Sequence, residues 1–149
     1  MSAKKNGEWW TAWRTSGVEV RKPDLATFAG EWSNSRGSVL KLSVKKGGQI
    51  SGTFSTGIGE VEPGRPFKIV GVANGDLLSF IVNWETKGSI TAWVGRKTTD
   101  SDGNDSIVTM WHLARNAHNA EGGTPSSWDA FLAGSDVFRR VEKPNRKKR

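Results

Sequence analysis

Tryptophan and small hydroxyl side chains alternate along several segments, and this combination is typical of the wall of a ligand cavity. Ser89, Thr91 and Trp93 lie two residues apart, which places them on one face of a strand. Thr109 and Trp111 repeat the pattern further along the chain. A packed core is built mainly from leucine, isoleucine and valine, because a buried hydroxyl without a partner is penalised. The pattern therefore favours a small-molecule cavity; the alternative is a packed core whose hydroxyls are all hydrogen bonded.

Patterns typical of catalytic and metal sites do not stand out in the sequence. The two histidines, His112 and His118, belong to no Ser-His-Asp arrangement, and no phosphate-binding loop is evident. Asp100, Asp102 and Asp105 share a loop, but they lack the twelve-residue spacing and closing glutamate of an EF-hand. Without cysteine, the chain forms neither a disulfide nor a thiolate metal site. We therefore expect a binding protein with no catalytic residue, no metal and no cofactor, and the alternative is an enzyme.

Turn signals divide the middle of the chain into short apolar runs. The breaks fall at residues 46–48, 62–64, 73–76, 86–88, 100–105 and 121–123. Eighteen glycines suit many turns, and eight tryptophans suit half-buried strands. Turns at this spacing, without helical periodicity between them, predict an all-β antiparallel barrel or sandwich.

Period-two alternation assigns the runs an inner and an outer face. The inner sets are Ile50, Gly52, Phe54, Thr56, Ile58; Leu78, Phe80, Val82, Trp84; Ser89, Thr91, Trp93; and Ile107, Thr109, Trp111, Leu113. The opposite faces are also apolar, and they carry Ile81, Ile90, Ala92, Val94, Val108 and Met110. His112 alternates with Trp111 and should point outward. Strands that are apolar on both faces need a cover, and self-association is the simplest one.

We predict one barrel domain at residues 25–142, between two terminal segments. Residues 1–24 form a predicted flexible extension; the alternative is that its tryptophans dock on the barrel. Residues 143–149 form a basic tail that holds five of the seven excess positive charges. A solvated tail is the simpler interpretation, and attraction to nucleic acid is the alternative. No apolar run has the length of a membrane span or the character of a signal peptide.

Six motifs occur in the order and at the spacing of the avidin/streptavidin family, and the chain resembles its bacterial members. They are GEWSNSRGS at 30–38, ISGTF at 50–54, VNW at 82–84, SITAWVG at 89–95, WHL at 111–113 and, after Trp128, GSDVF at 134–138. Each motif is weak alone, but the ordered set is highly specific. The resemblance implies an eight-stranded antiparallel up-and-down β-barrel whose open end binds biotin noncovalently and with high affinity.

The resemblance also assigns roles at the ureido ring of biotin, which has one carbonyl oxygen and two N–H groups. Asn34 and Ser38 should donate to the oxygen, while Thr56 and Asp136 should accept from the nitrogens. The Asp136 carboxylate should polarise the ring, because charge-assisted hydrogen bonds are stronger than neutral ones. Thr91 should lie near the thioether sulfur.

The remaining site residues follow from the same resemblance. Ser89 should meet the valerate carboxylate of biotin, together with backbone N–H groups after Ile58. The apolar walls and gap fillers should be Phe54, Ile58, Trp84, Trp93, Trp111, Leu113 and Trp128.

Two positions depart from the commonest family pattern. Phe54 stands where tyrosine usually donates to the ureido oxygen, and losing that donor costs roughly 1–3 kcal/mol. We therefore expect weaker binding than in the tightest relatives. Arg36 stands where an apolar residue is usual, and the sequence leaves open whether it lies at the rim or alters the pocket mouth.

Expected partners are biotin and further copies of the chain. In tetrameric members the residue that matches Trp128 crosses into a neighbour's pocket, so a tetramer is favoured over a dimer. The absence of cysteine departs from dimeric relatives that brace their pocket loops with a disulfide. Nucleic acid and membrane are not expected partners, and the tryptophan placement argues against an OB-type strand binder.

A lipocalin-like carrier of another small hydrophobic ligand is the alternative function, and sequestration of biotin is the purpose that the resemblance suggests. The compartment stays open between secretion, by resemblance, and the cytoplasm.

Overall fold

The computed structural model describes residues 28–58, 62, 64–116 and 127–142, and for Ser127 and Trp128 the backbone alone. Its strands are β1 (Gly30–Ser33), β2 (Val39–Val44), β3 (Gln49–Ser55), β4 (Pro66–Asn74), β5 (Leu77–Asn83), β6 (Ser89–Thr99), β7 (Asp105–Arg115) and β8 (Phe131–Arg140). Each strand pairs antiparallel with the next, and β8 closes on β1. The predicted eight-stranded up-and-down barrel is confirmed. Two short 3₁₀ helices, Glu85–Lys87 and Ser127–Ala130, precede β6 and β8. Within the described ranges, no helix is long and apolar enough to cross a membrane.

Alternating burial along the strands confirms the predicted inner faces of β5, β6 and β7. Leu78, Phe80 and Val82 are buried, while the residues between them are more exposed. Thr91 and Trp93 are buried on β6, as Ile107 and Thr109 are on β7. The interior is completed by further buried apolar side chains, which are Phe28, Trp32, Leu40, Leu42, Ile50, Phe54, Phe67, Ile69, Ala73, Trp84 and Phe138.

Strand β3 ends at Ser55, so Thr56 and Ile58 follow the strand instead of continuing its inner face. The reason is a close approach between two loops at the open end of the barrel. A Cβ atom on Gly57 would lie 2.3 Å from the carbonyl oxygen of Arg36 in the β1–β2 loop. The Thr56 hydroxyl also donates to the carbonyl oxygen of Ile58, which closes a local turn. The open end therefore has its β1–β2 and β3–β4 loops in contact.

A cluster around Asp105 ties together the opposite, closed end of the barrel. Its carboxylate accepts a 2.7 Å hydrogen bond from Thr99 Oγ1 and lies 3.7 Å from Lys97 Nζ and 3.3 Å from an Arg140 guanidinium nitrogen. The Arg140 guanidinium also covers the Trp32 ring at 4.1 Å and donates to the carbonyl oxygen of Ala29. Burial opposes ionisation of Asp105, but these donors and cations hold its pKa below the usual 3.8. The cluster thus secures the short pairing of β1 with β8.

Replacing Asp105 with asparagine is expected to lower the free energy of unfolding at pH 7 by about 1–2 kcal/mol. A lowered folded-state pKa means that this stabilisation is present above the unfolded pKa, about 3.9, and is lost as pH falls through the folded value. Denaturant unfolding of both proteins between pH 7 and pH 2.5 measures the difference. Asp76→Asn, in an exposed turn, is the control. An Asp105→Asn deficit that persists unchanged at the lowest pH would contradict the assignment.

The outer surface of β4 to β8 is apolar, as predicted for β5, β6 and β7. Val94 is 63% exposed and Met110 is 66% exposed, at the centre of this surface. His112 lies on the same side, exposed between Ala92 and Ala133 of the neighbouring strands. We call this surface the outer apolar face and define it by Val70, Val72, Ile81, Ile90, Val94, Val108, Met110 and Val137.

Candidate functional site

Aromatic rings line the half of the barrel interior that leads to the open end. The Trp93 ring stacks on Phe80 with centroids 4.9 Å apart and also lies 4.9 Å from Phe54. Trp84 meets Phe54 edge-on at 5.8 Å and Phe67 at 5.0 Å. Sequence reasoning placed Phe80 inside but gave neither it nor Phe67 a role at the site. Phe80 lies opposite Trp93 on the neighbouring strand, and Phe67 packs against Trp84, so the two rings fix the orientation of the aromatic walls.

One hydroxyl of the predicted site is already hydrogen bonded to a tryptophan. The indole Nε1 of Trp84 donates a 2.8 Å hydrogen bond to Thr91 Oγ1, and both residues are buried. An indole nitrogen is only a donor, so the threonine oxygen accepts and its own proton stays available. Thr91 therefore orients Trp84 and still presents an O–H to the interior.

Asp136 and Asn34 meet at the same end of the barrel, although 102 residues separate them in the chain. Asn34 Nδ2 donates to Asp136 Oδ1 at 3.3 Å, and Trp93 Nε1 lies 3.5 Å from Asp136 Oδ2. The Asn34 side-chain oxygen accepts from the backbone N–H groups of Arg36, at 3.0 Å, and Ser38, at 2.9 Å. These bonds leave the amide nitrogen as the only group that can face Asp136. The site thus places a carboxylate acceptor beside an amide donor.

Ser38 and Thr56 complete the polar side of the site from the two contacting loops. Ser38 is buried, and its hydroxyl accepts a 3.4 Å hydrogen bond from Gly57 N–H. This bond does not use the hydroxyl proton of Ser38. Thr56 Oγ1 accepts from Ile58 N–H at 3.3 Å while it donates to the carbonyl oxygen of the same residue. Ile58, predicted to fill a gap in the pocket, is 53% exposed in this loop.

The remaining predicted wall residues lie on β6 and β7. Trp111 is opposite Trp93, Leu113 is opposite Thr91, and Ser89 is the first residue of β6. The Trp111 ring rests on Gly134, because a Cβ atom there would lie 2.4 Å from the ring. Gly134 belongs to the GSDVF motif, but the sequence pattern does not reveal this contact. Trp128 lies in the second 3₁₀ helix, and its side chain is outside the described part of the structure.

Strands β1 and β8 pair through only two residue pairs and then separate. Beyond Ser33 a cleft of about 520 Å³ opens on the outer side, and its lining includes Asn34, Arg36 and Asp136. The exposed Arg36 therefore borders this lateral cleft. A larger cleft of about 860 Å³ at the closed end is lined by charged and small residues without an aromatic ring. The aromatic end with Asp136 is consequently the better candidate for a small, partly apolar ligand.

Hydrogen-bonding groups at the aromatic end suit a neutral ligand that has both a carbonyl oxygen and N–H groups. The Asn34 amide and Ser38 hydroxyl are donors, and the Asp136 carboxylate is an acceptor. Within residues 28–58, 62, 64–116 and 127–142, no group of three metal-ligating side chains comes together. The arrangement can recognise and orient such a ligand.

Comparisons with known proteins point in one direction. Residues 22–141 match the sequence profile described as the Avidin family. The chain is 31% identical over 125 residues to afifavidin of Afifella pfennigii, covering 80% of this chain and 72% of that protein. It is 25% identical over 122 residues to avidin-related protein 4/5 of Gallus gallus, covering 77% and 78%. The structure matches that of a rhizavidin–biotin complex with a TM-score of 0.65 and 26% identity, covering 78% of this chain and 95% of that one.

Proposed function

The chain belongs to the avidin family, and we propose that it binds biotin noncovalently in the open end of its barrel and catalyses no reaction on it. The observation that carries the proposal is the meeting of Asn34 and Asp136 beside Trp93. Trp93 lies on β6, Asn34 follows β1 and Asp136 lies on β8, so three distant segments form one polar cluster within the aromatic wall. The structural relative with biotin bound supports the same ligand.

The free donors and acceptors of the site correspond to the groups of the ureido ring. The Ser38 hydroxyl accepts from Gly57, so its proton is free for the ureido oxygen. The second N–H of the Asn34 amide can donate to the same oxygen. Asp136 accepts from one ureido nitrogen, and the second lone pair of Thr56 accepts from the other. The partly buried carboxylate makes this set stronger than a neutral one, because its hydrogen bonds are charge-assisted.

The rest of the biotin molecule is apolar apart from its carboxylate. The bicyclic ring and chain would lie between Trp84, Trp93 and Trp111, with Leu113 nearer the mouth. Thr91 would turn its free proton toward the thioether sulfur. The Phe54 ring packs against Trp93 and offers no hydroxyl, so we infer weaker binding than at a site with tyrosine there.

Titrating the purified chain with biotin tests the proposal directly. We expect binding near one biotin per chain, a negative heat-capacity change and a blue shift of tryptophan fluorescence, because apolar surface and indole rings lose water. A long-chain fatty acid, titrated in parallel, tests the lipocalin-like alternative. Heat and spectral change with the fatty acid and none with biotin would overturn the proposed function.

We also infer that the protein assembles as a homo-oligomer, with a tetramer favoured over a dimer. The outer apolar face supports this inference, because a contiguous apolar surface of this kind on a single barrel requires a cover. In the proposed assembly, Trp128 of one subunit closes the biotin site of another.

A further inference from the structure

Arg115 occupies the last inward-facing position of β7, at the mouth of the barrel. The cross-strand pairs Trp93–Trp111 and Thr91–Leu113 line the interior, and the next pair on that face is Ser89–Arg115. Directly opposed residues in an antiparallel pair have Cβ atoms about 4.5–5.5 Å apart. The base of the Arg115 side chain therefore lies beside Ser89, the residue that the family resemblance places at the ligand carboxylate.

Among the described residues, the guanidinium group of Arg115 has a hydrogen-bond anchor and no ion-pair partner. Its Nε donates a 3.1 Å hydrogen bond to the carbonyl oxygen of Asp129 in the second 3₁₀ helix. None of the four ion pairs between described residues involves Arg115. Glu85, in the 3₁₀ helix before β6, pairs instead with Arg65 at 3.0 Å. Within the described part of the chain, the guanidinium is thus held at the rim through Nε by a neutral contact, and its positive charge can attract an anion.

The surroundings of Arg115 at the rim are open and mostly polar. A shallow cleft of about 340 Å³ lies on the outer side of the rim. Its lining combines polar residues with the outward-facing Ile90 and Ala114, and comprises Asn83, Gly88, Ser89, Ile90, Ala114, Arg115 and Asn116. The Asn116 N–H donates to the carbonyl oxygen of Gly88 at 3.0 Å, which fastens the end of β7 to the start of β6. A carboxylate that leaves the barrel mouth beside this strand pair would meet the Ser89 hydroxyl and the Arg115 guanidinium, which are neighbours across the pair.

We propose that Arg115 selects free biotin over biotin linked through an amide, by pairing with the valerate carboxylate at the rim. The inference rests on the proposed function, in which the ureido ring lies at Asp136 and the chain runs outward past Thr91. Conversion of the carboxylate to an amide removes the negative charge and leaves every deeper contact intact. Because the rim is exposed, the expected preference for free biotin is modest, about three- to tenfold.

Competition of biotin and of biotin primary amide against labelled biotin measures this preference in the full-length protein. We expect Arg115→Gln to weaken biotin binding about three- to tenfold and to leave amide binding unchanged, so that the preference disappears. Arg115→Lys should restore part of the preference, because lysine keeps the positive charge but lacks the planar guanidinium that binds a carboxylate through two nitrogens. Lys46→Gln, in the exposed turn at the closed end, removes the same charge far from the rim and should keep the preference.

Each outcome bears on the inference separately from the proposed function. Equal affinities of the unmodified protein for both ligands would overturn the inference and leave biotin binding established. Loss of the preference in Lys46→Gln as well would overturn it, since overall charge and not the rim would then be responsible. Failure of both ligands to bind would overturn the proposed function, and the inference with it. A preference that declines with added salt would support the ion pair.

Discussion

Replacing Asn34 and Asp136 together by alanine is expected to weaken biotin binding by about a hundred- to ten-thousandfold while the barrel stays folded. The two side chains bond to each other at 3.3 Å and are proposed to contact opposite sides of the ureido group. Without them, the ureido oxygen loses a donor and one ureido nitrogen loses a charged acceptor. The ureido oxygen left unpaired costs about 1–3 kcal/mol and the lost charge-assisted hydrogen bond about 1.5–3 kcal/mol, and their sum gives the expected range.

The barrel should tolerate the double substitution because the backbone, not the carboxylate, holds β8 in place at this point. Thr109 Oγ1 donates to the carbonyl oxygen of Asp136 at 3.0 Å, and the neighbouring Phe138 stays in the core. Calorimetry with biotin measures affinity, and thermal unfolding reports the fold. The single variants complete a double-mutant cycle, in which we expect non-additive losses because the two side chains touch.

Asp136→Asn is the matched control for the charge. It keeps the shape and one acceptor oxygen, so its loss should be smaller than that of Asp136→Ala. A folded double variant that binds biotin as tightly as the unmodified protein would remove Asn34 and Asp136 from the site. Equal losses in Asp136→Asn and Asp136→Ala would instead assign the whole effect to the negative charge.

The inner faces of β5, β6 and β7 were predictable from the sequence, because the two-residue period of a strand alone assigns each residue to a face. The same period of two places Arg115 on the face that carries Trp111 and Leu113. The sequence could therefore also have predicted a cation at the rim. The end of β3 at Ser55 was not, because it depends on the contact of Gly57 with the β1–β2 loop. Such a contact joins segments that no local periodicity connects.

The polar pair of the site, Asn34 and Asp136, was predictable only from the family resemblance. Nothing in the spacing of Asn34 and Asp136 along the chain brings them within 3.3 Å; closure of β8 on β1 does so. The support of Trp111 by Gly134 was hidden for a related reason. A glycine in a strand reads as a bulge or a close approach, and the partner is set by the cross-strand register, here Trp111 opposite Gly134.

Trp128→Ala is expected to weaken biotin binding by about 30- to 1000-fold and to loosen subunit association at the same time. A tryptophan at the centre of an interface typically contributes 2–4 kcal/mol, since its ring removes a large apolar area from water. In the proposed assembly the ring serves two roles, because it packs between subunits and covers the partner's biotin. Calorimetry measures the first effect, and sedimentation over a range of protein concentrations measures the second.

Thermodynamic linkage between assembly and binding distinguishes this mechanism from a tryptophan ring that closes only its own subunit's pocket. If the neighbour's tryptophan completes the site, dilution that dissociates the protein must also weaken biotin binding, and biotin must favour assembly. Met110→Lys, a change on the outer apolar face that leaves Trp128 in place, should then weaken both properties together. If Met110→Lys dissociates the subunits but binds biotin at full affinity, Trp128 acts within its own chain. If Trp128→Ala retains both properties, no tryptophan from this helix covers the ligand.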